Sequence, residues 1–144
     1  MPSLPSERAA VVGRVNPQTV ANTERFTDVV DMSKFREVMG IALLGDMAAE
    51  AIDFKCYTCD SDGSNATALT SATQLAAHAT NNDNKQIVIN VKSDHVTNTK
   101  RYIKFGLVTG GATGGPACVV ALGMKPVYGP ASDDDLSSVV EIKT

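Results

Sequence analysis

Apolar and polar positions along this chain follow patterns that predict β-strands. Four stretches alternate between the two kinds of residue: 51–58, 86–92, 101–109 and 117–124. Successive side chains of a strand point to opposite faces, so a period of two indicates a strand with one buried face and one face in water. A fifth stretch, 35–44, is mainly apolar and is ended by Gly45-Asp46. The chain is therefore predicted to be mainly β.

The inward positions of the alternating stretches are predicted to form the hydrophobic core. In 117–124 the larger side chains, Cys118, Val120, Leu122 and Met124, fall on one side and small residues fall on the other. We assign the larger side to the core and the smaller side to the close approach of a neighbour. The predicted core is Ile52, Phe54, Cys56, Ile87, Ile89, Val91, Ile103, Phe105, Leu107, Val120 and Leu122.

The connections between these strands predict an antiparallel β-sandwich or jelly-roll-like domain. Four glycines lie in the loop 110–115, which we interpret as a hairpin with a flexible tip between the last two strands. The run Asn-Asn-Asp-Asn at 81–84 is typical of a second sharp turn. No long helical pattern separates the strands, and their spacing is that of a sandwich.

Two segments carry helix signals. Residues 66–79 are rich in Ala and Thr, and Ser71 with Gln74 could form a capping box, yet the same residues can also pair as a strand. At the end of the chain, Ser132 is followed by three aspartates. A hydroxyl that caps free N–H groups and carboxylates at the positive end of the dipole favour a short C-terminal helix there.

Residues 1–25 are predicted to form a polar, extended N-terminal arm, because Pro2, Pro5 and Pro17 interrupt the segment. Such a segment either frays or becomes ordered by lying on something else. Four valines favour the second alternative, and we predict that they contact neighbouring proteins: Val11, Val12, Val15 and Val20. The chain is thereby divided into an arm, 1–25, and a β-sandwich domain with a C-terminal tail, 26–144.

Composition excludes several classes of function. The 144 residues carry 13 Lys and Arg against 16 Asp and Glu, for a net charge of −3, and no basic stripe occurs. A nucleic-acid partner is therefore not expected. The longest apolar run, 38–44, is far shorter than the ~20 residues that span a bilayer. We expect neither a membrane segment nor secretion by a cleaved leader, and three cysteines, an odd number, argue against a disulfide framework.

Candidate catalytic and metal-binding motifs are incomplete. Cys56 and Cys59 form a C-x-x-C, but a second such pair is missing, and we place Cys56 in the core and Cys59 at a loop edge. The segment 60–65 resembles a calcium loop, yet its glycine is fourth rather than sixth, so we interpret it as a turn. His78 and His95 are the only histidines, and no Ser or Cys lies in a nucleophile motif such as G-x-S-x-G. No enzymatic activity, cofactor or metal is expected.

Several segments of the sequence resemble those of a family of small proteins encoded in the structural modules of tailed bacteriophages. They are LPSER (4–8), VDMSKF (30–35), DNKQIVIN (83–90), RYI (101–103) and YGPASD (128–133). The resemblance runs over nearly the whole chain. It implies a virion protein, assembled in the host cytoplasm, that decorates or cements the head.

The partners that this resemblance implies are the major capsid protein and copies of the same chain, as a homotrimer. A tail or head–tail joining component of the virion is an alternative. A carbohydrate-binding β-sandwich is another, although the aromatic platform that such modules use is poorly supplied by Tyr57, Tyr102, Tyr128 and four Phe.

Overall fold

A computed structural model describes residues 3–48, 50–69, 83–131 and 138–143 of the chain. Over these residues the fold is all-β, as the sequence predicts. A one-turn helix, α1 (Pro5–Arg8), precedes the strands, and a 3-10 turn spans Ser93–His95. The described strands are β1 (Ala9–Val20), β2 (Arg25–Phe26), β3 (Val30–Asp31), β4 (Phe35–Leu44), β5 (Ile52–Cys59), β6 (Thr67–Ala68), β7 (Gln86–Lys92), β8 (Tyr102–Thr109) and β9 (Gly115–Pro126).

The strands form two sheets that pack as an antiparallel β-sandwich. The first sheet has the order β1-β9-β4-β7, and the second has the order β2-β8-β5-β6, with β3 also paired to β8. Every pairing between these strands is antiparallel. Strands that neighbour each other in a sheet are mostly distant in sequence, so the fold depends on long-range pairing.

The core between the sheets combines aromatic rings with very small residues. Phe54 and Phe105 stack with their ring centroids 5.7 Å apart. A Cβ added at Gly40 would lie 2.6 Å from the Phe105 ring, and one at Gly123 would lie 2.8 Å from the Phe35 ring. Gly40 therefore leaves space for a ring of the facing sheet, and Gly123 leaves space for the ring of Phe35 on the neighbouring strand β4.

Most of the predicted core is confirmed. Eight of the predicted residues are buried: Ile52, Phe54, Cys56, Ile89, Val91, Ile103, Phe105 and Leu107. Ile87 is partly buried and packs against this cluster.

The prediction was wrong for β9, where Val120 and Leu122 lie on the outer face. The buried side consists of Ala117, Val119, Ala121 and Gly123. The small side faces inward because the Phe35 ring needs the space above Gly123. The rule that larger apolar residues point inward fails here, since both sides of β9 are apolar.

The interpretation of 1–25 as an irregular arm was wrong over residues 9–20. Strand β1 pairs along its length with β9, from Ala9 opposite Met124 to Val20 opposite Gly115. Pro17 falls within a register shift between Val15 and Gln18, where a missing N–H is tolerated. Residues 9–20 thus contribute a full strand to the sandwich.

The predicted hairpin at 110–115 was also wrong, because β8 and β9 lie in different sheets. The loop crosses from one sheet to the other and is held by Glu50. The N–H groups of Thr113 and Gly114 donate to the Glu50 carboxylate at 3.0 and 2.9 Å. Gly114 has φ +58°, and a Cβ there would collide with the backbone of Val20. The glycines of this loop allow it to pack closely against neighbouring loops.

The two segments with helix signals are described only in part. Thr67 and Ala68 pair as a strand with β5, which agrees with the extended alternative at that end of 66–79. Residues 70–79 lie outside the described part of the chain. Of the predicted C-terminal helix, 132–137 also lie outside it, and 138–143 are not helical.

Candidate interaction surface

The outer face of the first sheet is apolar along its two central strands, β9 and β4. A strand with one face in water normally carries polar residues on that face. Here the outward positions of β4 and β9 are almost all aliphatic or sulfur-containing. We call this surface the aliphatic face and define it as Val11, Met39, Ile41, Leu43, Val88, Cys118, Val120, Leu122 and Met124.

The strand register brings these side chains together as a continuous surface. Leu122 of β9 lies opposite Val11 of β1 on one side and Met39 of β4 on the other. In the next row, Ile41 lies between Val120 and Val88. Side chains directly opposite on one face of a sheet have Cβ atoms roughly 4.5–5.5 Å apart, so each row packs laterally.

Charges lie only at the margins of the aliphatic face among the residues that the structure describes. Glu37 and Lys125 form an ion pair with 2.7 Å between the nitrogen and oxygen atoms. At the β1 edge of the face, Nη1 of Arg14 lies 4.0 Å from Oδ2 of Asp28. Within the face, Leu43 is 39% exposed and Val88 is 50% exposed. An apolar patch with a polar rim is typical of a protein–protein contact.

The four valines predicted to contact neighbours are divided by the fold. Val12, Val15 and Val20 are buried against the rest of their own chain, with 6%, 4% and 0% exposure. They are therefore core residues in this fold. Val11 points outward and belongs to the aliphatic face. The sequence signal for Met39, Ile41 and Leu43 was the apolar run 38–44, since such runs belong to strands that are apolar on both faces.

The outer face of the second sheet carries aromatic rings that already have partners. The Lys104 ammonium lies 4.1 Å from the centre of the Phe26 ring, and Phe26 meets Tyr57 edge to face at 5.7 Å. Arg101 lies 5.0 Å from the Tyr102 ring centre. Burial and the neighbouring Glu24 carboxylate, which accepts a 2.7 Å hydrogen bond from the Tyr57 hydroxyl, raise the pKa of Tyr57. These rings do not form a free platform for stacking a sugar.

The cysteine pair lies in an environment that keeps both thiols protonated. Cys56 points into the core, and Cys59 lies at the end of β5 on the opposite face, as a spacing of three residues in a strand requires. Burial, with a smaller contribution from Cys59, raises the pKa of Cys56 to about 12. Burial also raises the pKa of Cys59. Cys59 lies at the edge of the 60–65 turn, as predicted, and is fully buried there. Neither thiol is poised as a nucleophile.

The calcium-like segment 60–65 is a turn that joins β5 to β6, as we interpreted it. Its acceptors are used by nearby side chains: Asp60 accepts from Asn65 at 2.6 Å and from Lys100 at 2.8 Å. Lys104 donates to the carbonyl of Gly63 at 2.8 Å. Hydrogen bonds from Asn65 and Lys100 lower the pKa of Asp60. The ammonium groups of Lys100 and Lys104 are thus directed at oxygen atoms of this turn.

The remaining candidate groups are dispersed. Nδ1 of His95 accepts the N–H of Lys92 at 3.3 Å, and His78 lies outside the described residues. A surface cavity of about 230 Å³ beside Met32 and Val96 is lined by Arg101, which is paired with Asp31 at 3.1 Å. The described segments contain no cluster of three or more His, Cys, Asp or Glu residues that could hold a metal ion. They also contain no helix long and apolar enough to cross a membrane.

Comparison with known proteins gives matches at the level of solved structures. No protein-family model matches the chain, and no curated protein matches it in sequence. The chain is similar to a disulfide-linked pilus of Bacillus endospore appendages, with 15% identity, a TM-score of 0.45, and coverage of 86% of this chain and 96% of that chain.

Two carbohydrate-binding structures are also similar. Carbohydrate-binding modules of the β-sandwich superfamily match with 9% identity and a TM-score of 0.43, over 73% of this chain and 42% of that one. A xylan-binding module matches with 12% identity and a TM-score of 0.38, over 81% of this chain and 89% of that chain. At these values the likenesses carry no argument about what this chain binds.

Proposed function

We propose that this protein is a non-catalytic structural component of a tailed-phage virion that decorates the head. The observation that carries the proposal is the aliphatic face, an apolar surface on a rigid sheet with its charges at the margins. The phage virion is proposed because the segments 30–35, 83–90 and 128–133 resemble those of phage structural proteins. The occupant that we assign to this face is an apolar patch of the major capsid protein.

The size of the face fits a subunit that binds at many equivalent sites. Four strands about 4.8 Å apart and six residue steps of about 3.4 Å give a footprint of roughly 400 Å². This is about half of the ~800 Å² per partner of a standard stable interface. One face therefore supplies a modest contact, and repeated contacts over a lattice, together with contacts between copies, make up the difference.

A single charge in the centre of the face tests this proposal. In the Ile41→Lys variant, the ammonium would lie in the row between Val120 and Val88, where docking would bury it without a partner. We expect normal folding and at least about a tenfold loss of affinity for undecorated heads in a co-sedimentation assay. The matched control is Val108→Lys, which introduces the same side chain on the outer face of the second sheet.

The control variant is expected to bind heads like the natural chain. Equal binding by the Ile41→Lys variant would exclude the aliphatic face as the docking surface. Binding to isolated tails instead of heads would support the alternative location at the tail or the head–tail joint.

A further inference from the structure

Most edges of the sandwich are protected against pairing with another strand. Strand β1 has two register shifts and contains Pro17, and its Arg14 N–H donates to the Asp28 carboxylate at 3.2 Å. The edge strands of the second sheet, β2, β3 and β6, have only two residues each. Bulges, prolines and short length are the means by which natural sheets prevent edge-to-edge association.

Strand β7 is an edge without these protections. Its seven residues pair with β4 in unbroken register, and in the described part of the chain β7 has a strand on one side only. Residues 86–91 include no proline, no glycine and no charge. Lys85 and Lys92 lie at the two ends of this uncharged segment.

The backbone groups on the free side of β7 can be assigned from the register. The N–H of Leu44 donates to the carbonyl of Lys85, so Lys85 faces β4. Because backbone direction alternates along a strand, Gln86, Val88 and Asn90 direct their N–H and C=O groups away from β4. The N–H of Lys92 on the same side is already accepted by His95. Within the described part of the chain, the groups open to pairing are therefore centred on Val88.

We propose that β7 pairs antiparallel with β7 of a second copy of this chain, about a two-fold axis at Val88. This inference rests on the proposed function only for its setting, a virion built from many copies. The pairing is a case of strand addition to an open sheet edge, in which main-chain hydrogen bonds supply the contact. It joins two four-stranded sheets into one sheet of eight strands.

Charge placement favours a second copy in this register. Antiparallel pairing centred on Val88 puts Gln86 opposite Asn90 of the second copy and Lys85 opposite Val91 of the second copy. Lys92 then lies opposite Asn84 of the second copy. A parallel in-register pair would instead bring each lysine beside its own equivalent, and like charges directly opposite are destabilising.

The same register brings the two aliphatic faces together at Val88. Val88 is the outermost member of the row Val120–Ile41–Val88 and is 50% exposed. In the pair it meets Val88 of the second copy, so the row continues across the two-fold axis. The pair would present roughly 800 Å² of sheet surface to the capsid, from twice the single-face footprint, with the outward Gln86 and Asn90 of each copy beside the two-fold axis. This is the per-partner area of a standard interface.

Complementary charges at position 88 test the pairing in the isolated full-length protein. Sedimentation velocity over a concentration series is expected to show a monomer–dimer equilibrium for the natural chain. The Val88→Lys and Val88→Glu variants should each lower the association constant by about tenfold or more, because identical charges meet at the axis. An equimolar mixture of the two variants should recover the dimer. The controls are Asn98→Lys and Asn98→Glu, at an exposed position, and both should leave dimerisation unchanged.

Several results would overturn the inference. The natural chain could stay monomeric over the whole concentration series, or it could form a homotrimer. The Val88→Lys and Val88→Glu variants could also dimerise as well alone as in the mixture. The exposed tail residue Val140 provides a further comparison, since it is 98% exposed. If Val140→Glu abolished the dimer while Val88→Lys did not, the C-terminal tail would be the segment that pairs.

Head binding separates this inference from the proposed function. A dimer lost in the Val88→Lys variant, with head binding by Ile41→Lys unchanged, would support the pairing and contradict the docking face. A monomeric natural chain whose head binding is lost in Ile41→Lys would support the docking face and contradict the pairing.

Discussion

At the scale of single residues, small side chains decide how this core is packed. Gly40 and Gly123 lie under the Phe105 and Phe35 rings, where even a methyl group would be closer than 3 Å to ring atoms. Alanines at 42, 117 and 121 continue this small inner side of β4 and β9. Chain composition shows that aromatic residues are few, but it does not show which glycines face them. That pairing is made between residues about 65 to 90 positions apart in the sequence.

Glu50 is a residue whose charge state links the pH to the stability of the sandwich. Burial raises the pKa of its carboxyl, but hydrogen bonds from Thr109, Gly114 and Thr113 outweigh this and leave the pKa below its ordinary value of 4.5. A lowered folded-state pKa adds stability above the unfolded pKa, and this is lost as the pH falls through the folded pKa.

The Glu50→Gln variant should therefore lose part of this pH dependence. The natural chain is expected to lose stability from about pH 4.5 downward. The variant should be less stable at neutral pH, with a smaller difference between the two proteins in acid. Urea denaturation midpoints at a series of pH values measure this, and parallel curves for the two proteins would contradict the role of Glu50.

At the scale of elements, alternation predicted β5, β7 and β8 with their inward faces, because each has one apolar side and one more polar side. It could not orient β9, whose two sides are both apolar. Which side of β9 faces inward depends on the Phe35 ring above Gly123, and Phe35 is distant from β9 in the sequence. Nor did it identify β1, where Pro17 is accommodated by a register shift with β9. The aliphatic face was missed for the same reason, since much of it is the side of β9 that was assigned to the core.

The orientation of β9 can be tested with one acidic residue on each side. Val119→Asp places a carboxyl at a site with no exposure, where an unpaired charge should cost at least ~3 kcal/mol or prevent folding. Val120→Asp places it on the outer face and should change the free energy of unfolding by less than ~1 kcal/mol. Thermal or urea unfolding of the two variants is the measurement. The reverse order would show that the larger side of β9 faces the core.

Strand β1 gives a second test at this scale. A chain that starts at Phe26 lacks Val12, Val15 and Val20, which are buried in the core. Each buried valine contributes roughly 1.5–3 kcal/mol, and the total stability of a domain is about 5–15 kcal/mol. The truncated chain is therefore expected to be unfolded, as seen by circular dichroism. A cooperative transition at a nearly unchanged melting temperature would show that 1–25 is a separable arm.

At the scale of the whole molecule, the two outer faces of the sandwich differ in kind. The second sheet presents aromatic rings already paired with lysine and arginine, while the first presents aliphatic side chains with a charged rim. The thiols of Cys56 and Cys59 are buried, and Lys100 and Lys104 donate hydrogen bonds to oxygens of the 60–65 turn. An assembly role places its chemistry in surface contacts, and the surface best suited to a contact is the aliphatic face.

An electron cryomicroscopy reconstruction of the phage particle tests this account most directly, since it locates the chain and orients its sheets together. Sandwich density is expected on the outside of the head, with β9 and β4 facing the shell and β8 and β5 facing solvent. Density with the second sheet against the shell, or a sandwich found away from the head, would contradict it.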